Sequence, residues 1–320
     1  TGAVIGSPGT YEIYAVLSPT PTDAGCRPSA MTTITINALP VVTLAIPANQ
    51  DEFCSNDGTQ LISLAGAPTG GVYSGTGVTD LGDGLSFSFD PAVAGVGVHT
   101  VTYTVTDMNG CTNSATDDIT VNALPAVSFT APADLCVNDG VQAGLGGGTP
   151  TGGVYSGPGV TDDGNGMTYS FDPAAAGVGT HTLTYTFTDA NGCTDAASDD
   201  VQVFAVPNVT FTGPADLCID AGVQAGLGGG SPTGGVYSGP GVTDDGNGMT
   251  YSFDPAAAGV GTHTVTYTFT DGNGCTNSAS DDEEVLGGSA TFTAPADLCA
   301  DAGIQTGLGG GMPTGGVYSG

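Results

Sequence analysis

A 320-residue chain with 32 acidic side chains, one arginine and no lysine, at a net charge of −31, repels phosphate backbones and anionic lipid. Both kinds of binding need Lys or Arg to displace counterions, so nucleic-acid binding and electrostatic membrane attachment are excluded as functions. So many carboxylates belong on surfaces and loops, and a saline, cation-containing exterior suits them better than cytosol.

Internal repetition dominates what remains. Residues 132–200 align without a gap to residues 214–282, at an offset of 82, and 61 of the 69 positions are identical. The phrase PTGGVYSG begins at Pro68, Pro150, Pro232 and Pro313, FDPA at Phe89, Phe171 and Phe253, and NGCT at Asn109, Asn191 and Asn273. Residues 1–40 read as the C-terminal part of one repeat; 41–123, 124–205 and 206–287 are three complete repeats; residues 288–320 open another. A chain that begins and ends in mid-repeat is expected to be a stretch of a longer repetitive protein. No membrane span is present in this window.

In the unit 124–205, residues 126–131 predict a first short strand and Asn138-Asp-Gly a turn, followed by a strand at Val141-Gln-Ala-Gly-Leu. Gly153-Val-Tyr-Ser is a strand flanked by glycines, with Tyr155 as its core aromatic. Asp162-Asp-Gly-Asn-Gly is a second turn, Met167-Thr-Tyr-Ser-Phe the strand leaving it, and Ala174 to Gly179 a loop. The clearest strand is Thr182 to Thr188, where Leu183, Tyr185 and Phe187 alternate with four threonines, one face buried and one wet. Asp189-Ala-Asn-Gly is a hairpin turn, and the last strand runs from Cys193 towards Val203, with Val201 and Val203 pointing inward. About seven strands with frequent turn signals and no helical period predict an all-β fold, a tandem array of immunoglobulin-like antiparallel β-sandwiches. Ala123-Leu-Pro125 and Ala205-Val-Pro207 are short linkers, suited to a semi-rigid rod.

Each complete repeat carries two cysteines 57 residues apart, Cys54 and Cys111, Cys136 and Cys193, Cys218 and Cys275. Regular pairs in small β domains point to an oxidising compartment. Pairing within each repeat is the first reading. Its difficulty is that the two turns lie at opposite ends of a plain sandwich, roughly 30 Å apart, beyond the ~7 Å reach of a disulfide. Bridges that cross the domain junctions, for example Cys136 to Cys275, are the alternative. Cys26 and Cys299 would have partners outside the chain.

The acidic turns are the only candidate ligand sites. Asp162, Asp163 and Asn165, with their copies Asp244, Asp245 and Asn247, could offer three or four oxygens to Ca²⁺, which wants six to eight. The competing reading is that they are turn formers kept acidic for solubility. His99, His181 and His263 stand alone and read as structural. Nothing marks a nucleophile, so no enzymatic activity is expected.

The combination of a cysteine, thirteen residues, PTGGVYSGPGV, FDP and GTHTVTYTFTDGNGCT resembles the Ig-like repeats of giant Bacteroidota surface proteins. These are gliding-motility and cell-surface adhesins exported by the type IX secretion route. The acidic, nearly identical repeats are also similar to what a marine filamentous predator of that group would use in grappling-hook appendages. The resemblance implies a cell-surface location, an adhesive or filamentous function and no catalysis. Near-identity of the repeats adds the expectation of a structural or adhesive shaft of an extracellular appendage, homo-oligomeric and laterally assembled, that meets other cell surfaces. The alternatives are repeats that bind carbohydrate or host protein, or a spacer for a surface-attached enzyme.

Overall fold

The computed structural model describes residues 6–15, 30–288 and 291–293, with some positions between 304 and 317. Cys26, Cys299 and Arg27 lie outside the described residues. The expected all-β class is what the structure contains: each complete repeat is a sandwich of a four-stranded and a three-stranded sheet.

In the middle repeat, β1 is Leu135–Cys136, β2 Gln142–Leu145, β3 Val154–Ser156, β4 Val160–Asp162, β5 Tyr169–Phe171, β6 Gly179–Thr188 and β7 Thr194–Phe204. One sheet has the order β1-β7-β6-β3 and the other β2-β5-β4. The long β6–β7 hairpin runs in register from Gly179↔Val203 to Thr188↔Thr194. Its inward side chains Leu183, Tyr185, Val201 and Val203 are at most 1% exposed and meet Tyr155, Tyr169, Phe171 and Phe129 in one core. On the outer face the threonines bond across the hairpin, Thr182 to Asp200 at 2.7 Å and Thr184 to Ser198 at 2.9 Å. That arrangement is the cause of the strict Thr–apolar alternation.

Three local expectations are corrected. Residues 126–131 are not a strand: their backbone pairs only through an isolated bridge, Ser128↔Thr149, while Ala131 N donates to Asp199 Oδ2 on β7 in place of a ladder. The turn expected at Asp162-Asp-Gly-Asn-Gly is present, but its first residue ends a strand the sequence did not reveal, β4, which pairs with β5 from Val160↔Phe171 to Asp162↔Tyr169. The loop after Asp172 holds a one-turn helix, α1 (Pro173–Ala176), whose first N–H groups, on Ala174 and Ala175, donate to Asp172 Oδ1. Asp at the cap with Pro at the first helical position is a compact start signal.

The repeated glycines are also accounted for. The Tyr185 ring lies in a slot between Gly148 and Gly153, where an added Cβ would approach it to 2.6 and 2.5 Å. Tyr185 Oη donates to Pro150 O at 2.5 Å and accepts from Gly153 N at 2.8 Å. Tyr103 and Tyr267 make the same pair of bonds in the flanking repeats. PTGGVYSG is thus the receptor for a buried tyrosine of the neighbouring strand.

Candidate functional site

Two kinds of site follow from this frame, the repeat junctions and the acidic turns. At the junctions, β1 pairs in parallel with the end of β7, Cys136 beside Phe204. That places Cys136 at the end of the repeat that leads into the next one. A tight turn holds it: Cys136 N donates to Asp139 Oδ2 at 2.6 Å and Asp139 N to Cys136 O at 3.0 Å. Cys193 sits at the other end, where β7 begins. Asp189 Oδ1 accepts from Asn191 N and Cys193 N, both at 2.9 Å, and Gly192 supplies the positive φ of 85° that closes the turn.

The eleven residues of β7 hold the two cysteines of one repeat about 35 Å apart. Pairing within a repeat, Cys54 with Cys111, Cys136 with Cys193 or Cys218 with Cys275, is therefore overturned. The structure joins Cys54 to Cys193 and Cys136 to Cys275, each at a Cα–Cα distance of 5.5 Å and across 139 residues of sequence. The first cysteine of one repeat reaches the second cysteine of the next. Cys193 and Cys275 are fully buried, and Asn138 Nδ2 donates to Thr276 O at 3.2 Å beside the second bridge. Cys111 and Cys218 carry free thiols at the corresponding positions of the first and third repeats. A loop of this length closed by a disulfide contributes about 5 kcal/mol on the chain-entropy account.

The acidic turn brings Asp162, Asp163 and Asn165 together, but their oxygens face inward to the turn. Asp162 accepts from Tyr155 N and Gly164 N at 2.7 Å, one bond to each oxygen. Asp163 Oδ2 accepts from Thr168 Oγ1 at 2.6 Å, and Asn165 Oδ1 from Met167 N and Thr168 N at 2.8 Å. Asp244, Asp245 and Asn247 repeat these contacts. The oxygens of Asp162 and Asn165 are taken up by backbone N–H groups and Asp163 Oδ2 by the Thr168 hydroxyl, and no group of three or more His, Cys, Asp or Glu side chains among the described residues has a metal-holding arrangement. The set does not fit calcium. It fits a turn that orders β4 and β5, with Asp162 also pinning β3. The histidines are structural as expected: His181 Nε2 lies 2.7 Å from Gly177 O, and His99 and His263 repeat the contact.

One group escaped the sequence reading. Glu283 occupies the inward position that Ile119 and Val201 hold in the other repeats, and it is 1% exposed with both carboxylate oxygens unpartnered. Opposite it stands Gly213, where repeat two has Ala131 and repeat one Ile46; a Cβ on Gly213 would collide with Glu283 Oε1. Burial, and then the nearby Asp281 and Asp216, push the Glu283 carboxyl up to about 7. Continuing the 82-residue alignment one position past Asp282 would have exposed the Val-to-Glu change, and Ala131 against Gly213 its accommodation.

No protein-family profile matches the chain, and no curated protein is similar to it in sequence. Several solved structures align with the chain at low similarity. A Ca²⁺-stabilised adhesin with which an Antarctic bacterium binds ice shares 18% identity, with 87% of this chain and 82% of that one covered, at a TM-score of 0.38. A 1.5-MDa bacterial ice-binding adhesin shares 14%, with coverages of 78% and 98%, at a TM-score of 0.31. Titin domains I67–I69 share 12%, with coverages of 74% and 95%, at a TM-score of 0.33. Identities and scores this low transfer no site or ligand to this chain. The class rests on its own architecture: tandem Ig-like β-sandwich repeats.

Proposed function

We propose that the chain is the structural and adhesive shaft of an extracellular surface filament. The observation that supports this reading is the covalent junction: Cys54–Cys193 and Cys136–Cys275 each join one repeat to the next. A junction held by both a linker and a bridge resists swivelling, which a spacer that merely tethers would not need. Disulfides of this kind also belong to an oxidising compartment. Near-identical repeats let weak lateral contacts recur every 82 residues and add along the length, so the reading includes several chains assembled side by side, with a distal tip meeting other cell surfaces. The role is mechanical and not enzymatic. The resemblance in GGVYSG and NGCT favours a Bacteroidota surface protein exported by the type IX route, in its narrowest form the shaft of a grappling-hook appendage.

The test is mass per length of the native material by scanning transmission electron microscopy. A multiple of the single-chain value is expected. A single-chain value in every medium overturns lateral assembly and leaves an isolated tether.

A further inference from the structure

The two bridges do more than close junctions, because their loops interlock. The loop closed by Cys54 and Cys193 contains Cys136, and the loop closed by Cys136 and Cys275 contains Cys193. We propose that they form a covalent bypass, so that the array stays one molecule when its backbone is broken anywhere between Cys54 and Cys275, and cannot be drawn out to its full contour length.

The connectivity carries the argument. A cut between Cys54 and Cys136 is spanned by the first bridge, a cut between Cys193 and Cys275 by the second, and a cut between Cys136 and Cys193 by both. Both linkers, at Leu124-Pro125 and Val206-Pro207, fall inside a bridged loop. Pairing within repeats would protect neither, since each linker would lie between closed loops. The bypass thus covers both linkers between complete repeats.

It also sets a limit on extension. With every repeat unfolded, the covalent route from Cys54 to Cys275 passes through both bridges and the 57 residues between Cys136 and Cys193, instead of the 221 residues of backbone. At about 3.6 Å per residue that is about 200 Å against about 800 Å. The bypass bears on the shaft reading, since it is what a load-bearing rod would use, yet it stands or falls on connectivity alone.

The experiment inserts a specific protease site at one linker, between Ala205 and Val206, in the otherwise intact oxidised chain. After cleavage a single full-length band is expected without reductant, and two fragments with it. Cys136→Ser should let the two halves separate without reductant, while the same substitution with the site moved to Leu124 should not, because Cys54–Cys193 still spans that linker. Separation of the oxidised, unsubstituted chain at either linker overturns the proposal. Pulling the oxidised chain from its ends and then adding reductant provides the second measurement. A gain in final length of about 600 Å is expected, and no gain overturns the bypass. A bypass confirmed alongside a single-chain mass per length would remove the lateral fibre and keep the interlock.

Discussion

Tyr185 and Glu283 show how differently one buried polar group is treated when it has partners and when it has none. The Tyr185 hydroxyl both donates and accepts inside the PTGGVYSG turn, so Tyr185→Phe leaves a buried N–H and a carbonyl unpaired. A loss of about 1–3 kcal/mol is expected from urea unfolding, whereas Thr182→Val on the exposed face of the same strand should stay within about 0.5 kcal/mol. Glu283 has no such partners. Its carboxyl titrates near 7 in the folded repeat against an ordinary 4.5, so the folded state holds a proton that the unfolded chain releases. Its contribution is therefore intact below about pH 4.5 and lost as pH rises to about 7. Asp281 and Asp216 face it with like charge, Tyr251 is packed nearby, and His263 lies opposite in the ladder with Nε2 turned to Gly259 O. Glu283→Val should stabilise the third repeat by about 1–3 kcal/mol at neutral pH, more when paired with Gly213→Ala, which restores the Ala131 and Val201 combination. The gap between wild type and variant should shrink as pH falls from 7 to 4.5 in thermal melts; a gap independent of pH would remove the buried-charge explanation.

Elements were legible wherever one residue's neighbours two places away repeat its character. The β6–β7 hairpin could be read because Leu183, Tyr185 and Phe187 alternate with threonines along β6 and Val201 and Val203 flank Gln202 near the end of β7. β4 could not, since three residues, Val-Thr-Asp, give too short a period and end on an aspartate that usually signals a turn. The one-turn helix was hidden for a related reason: it has a cap and a proline but no second turn to show a 3.6 period. The same element scale decides the acidic turns. Their residues were found from sequence, yet their oxygens' commitment to backbone N–H groups and to the Thr168 hydroxyl depends on how β4 and β5 close, which no spacing reveals. Excess chelator should therefore leave the melting temperature of the chain unchanged, while Asn165→Ala, which frees Met167 N and Thr168 N, should cost about 1 kcal/mol with or without calcium. A melting temperature that drops on chelation and returns with Ca²⁺ would reinstate the metal reading.

At the scale of the whole molecule the sequence showed the period and the cysteine spacing but left the pairing open, because connectivity depends on which end of a repeat each turn occupies. The decisive feature was β1 lying parallel to the end of β7, a two-residue contact with no signature of its own. Charge works the other way, being fully visible in composition and acting only through the assembled surface. With 32 acidic side chains against a single Arg27, the described residues contain no Lys or Arg with which a carboxylate could pair. Every long-range interaction between these carboxylates is repulsive, and folding brings them closer than they lie in an expanded chain. The Debye length falls from about 30 Å at 0.01 M to about 8 Å at 0.15 M ionic strength. Melting temperature should therefore rise with sodium chloride across that range and level off beyond it. Magnesium and calcium should act alike at equal ionic strength, since screening needs no specific cage. The same screening governs contact between chains, so lateral association should appear over the same interval and reverse on dilution into low salt. Calorimetry and light scattering on one salt series check both halves; melting that ignores salt would mean the carboxylates are too far apart to matter, and association that ignores it would locate the lateral contacts away from the charged faces.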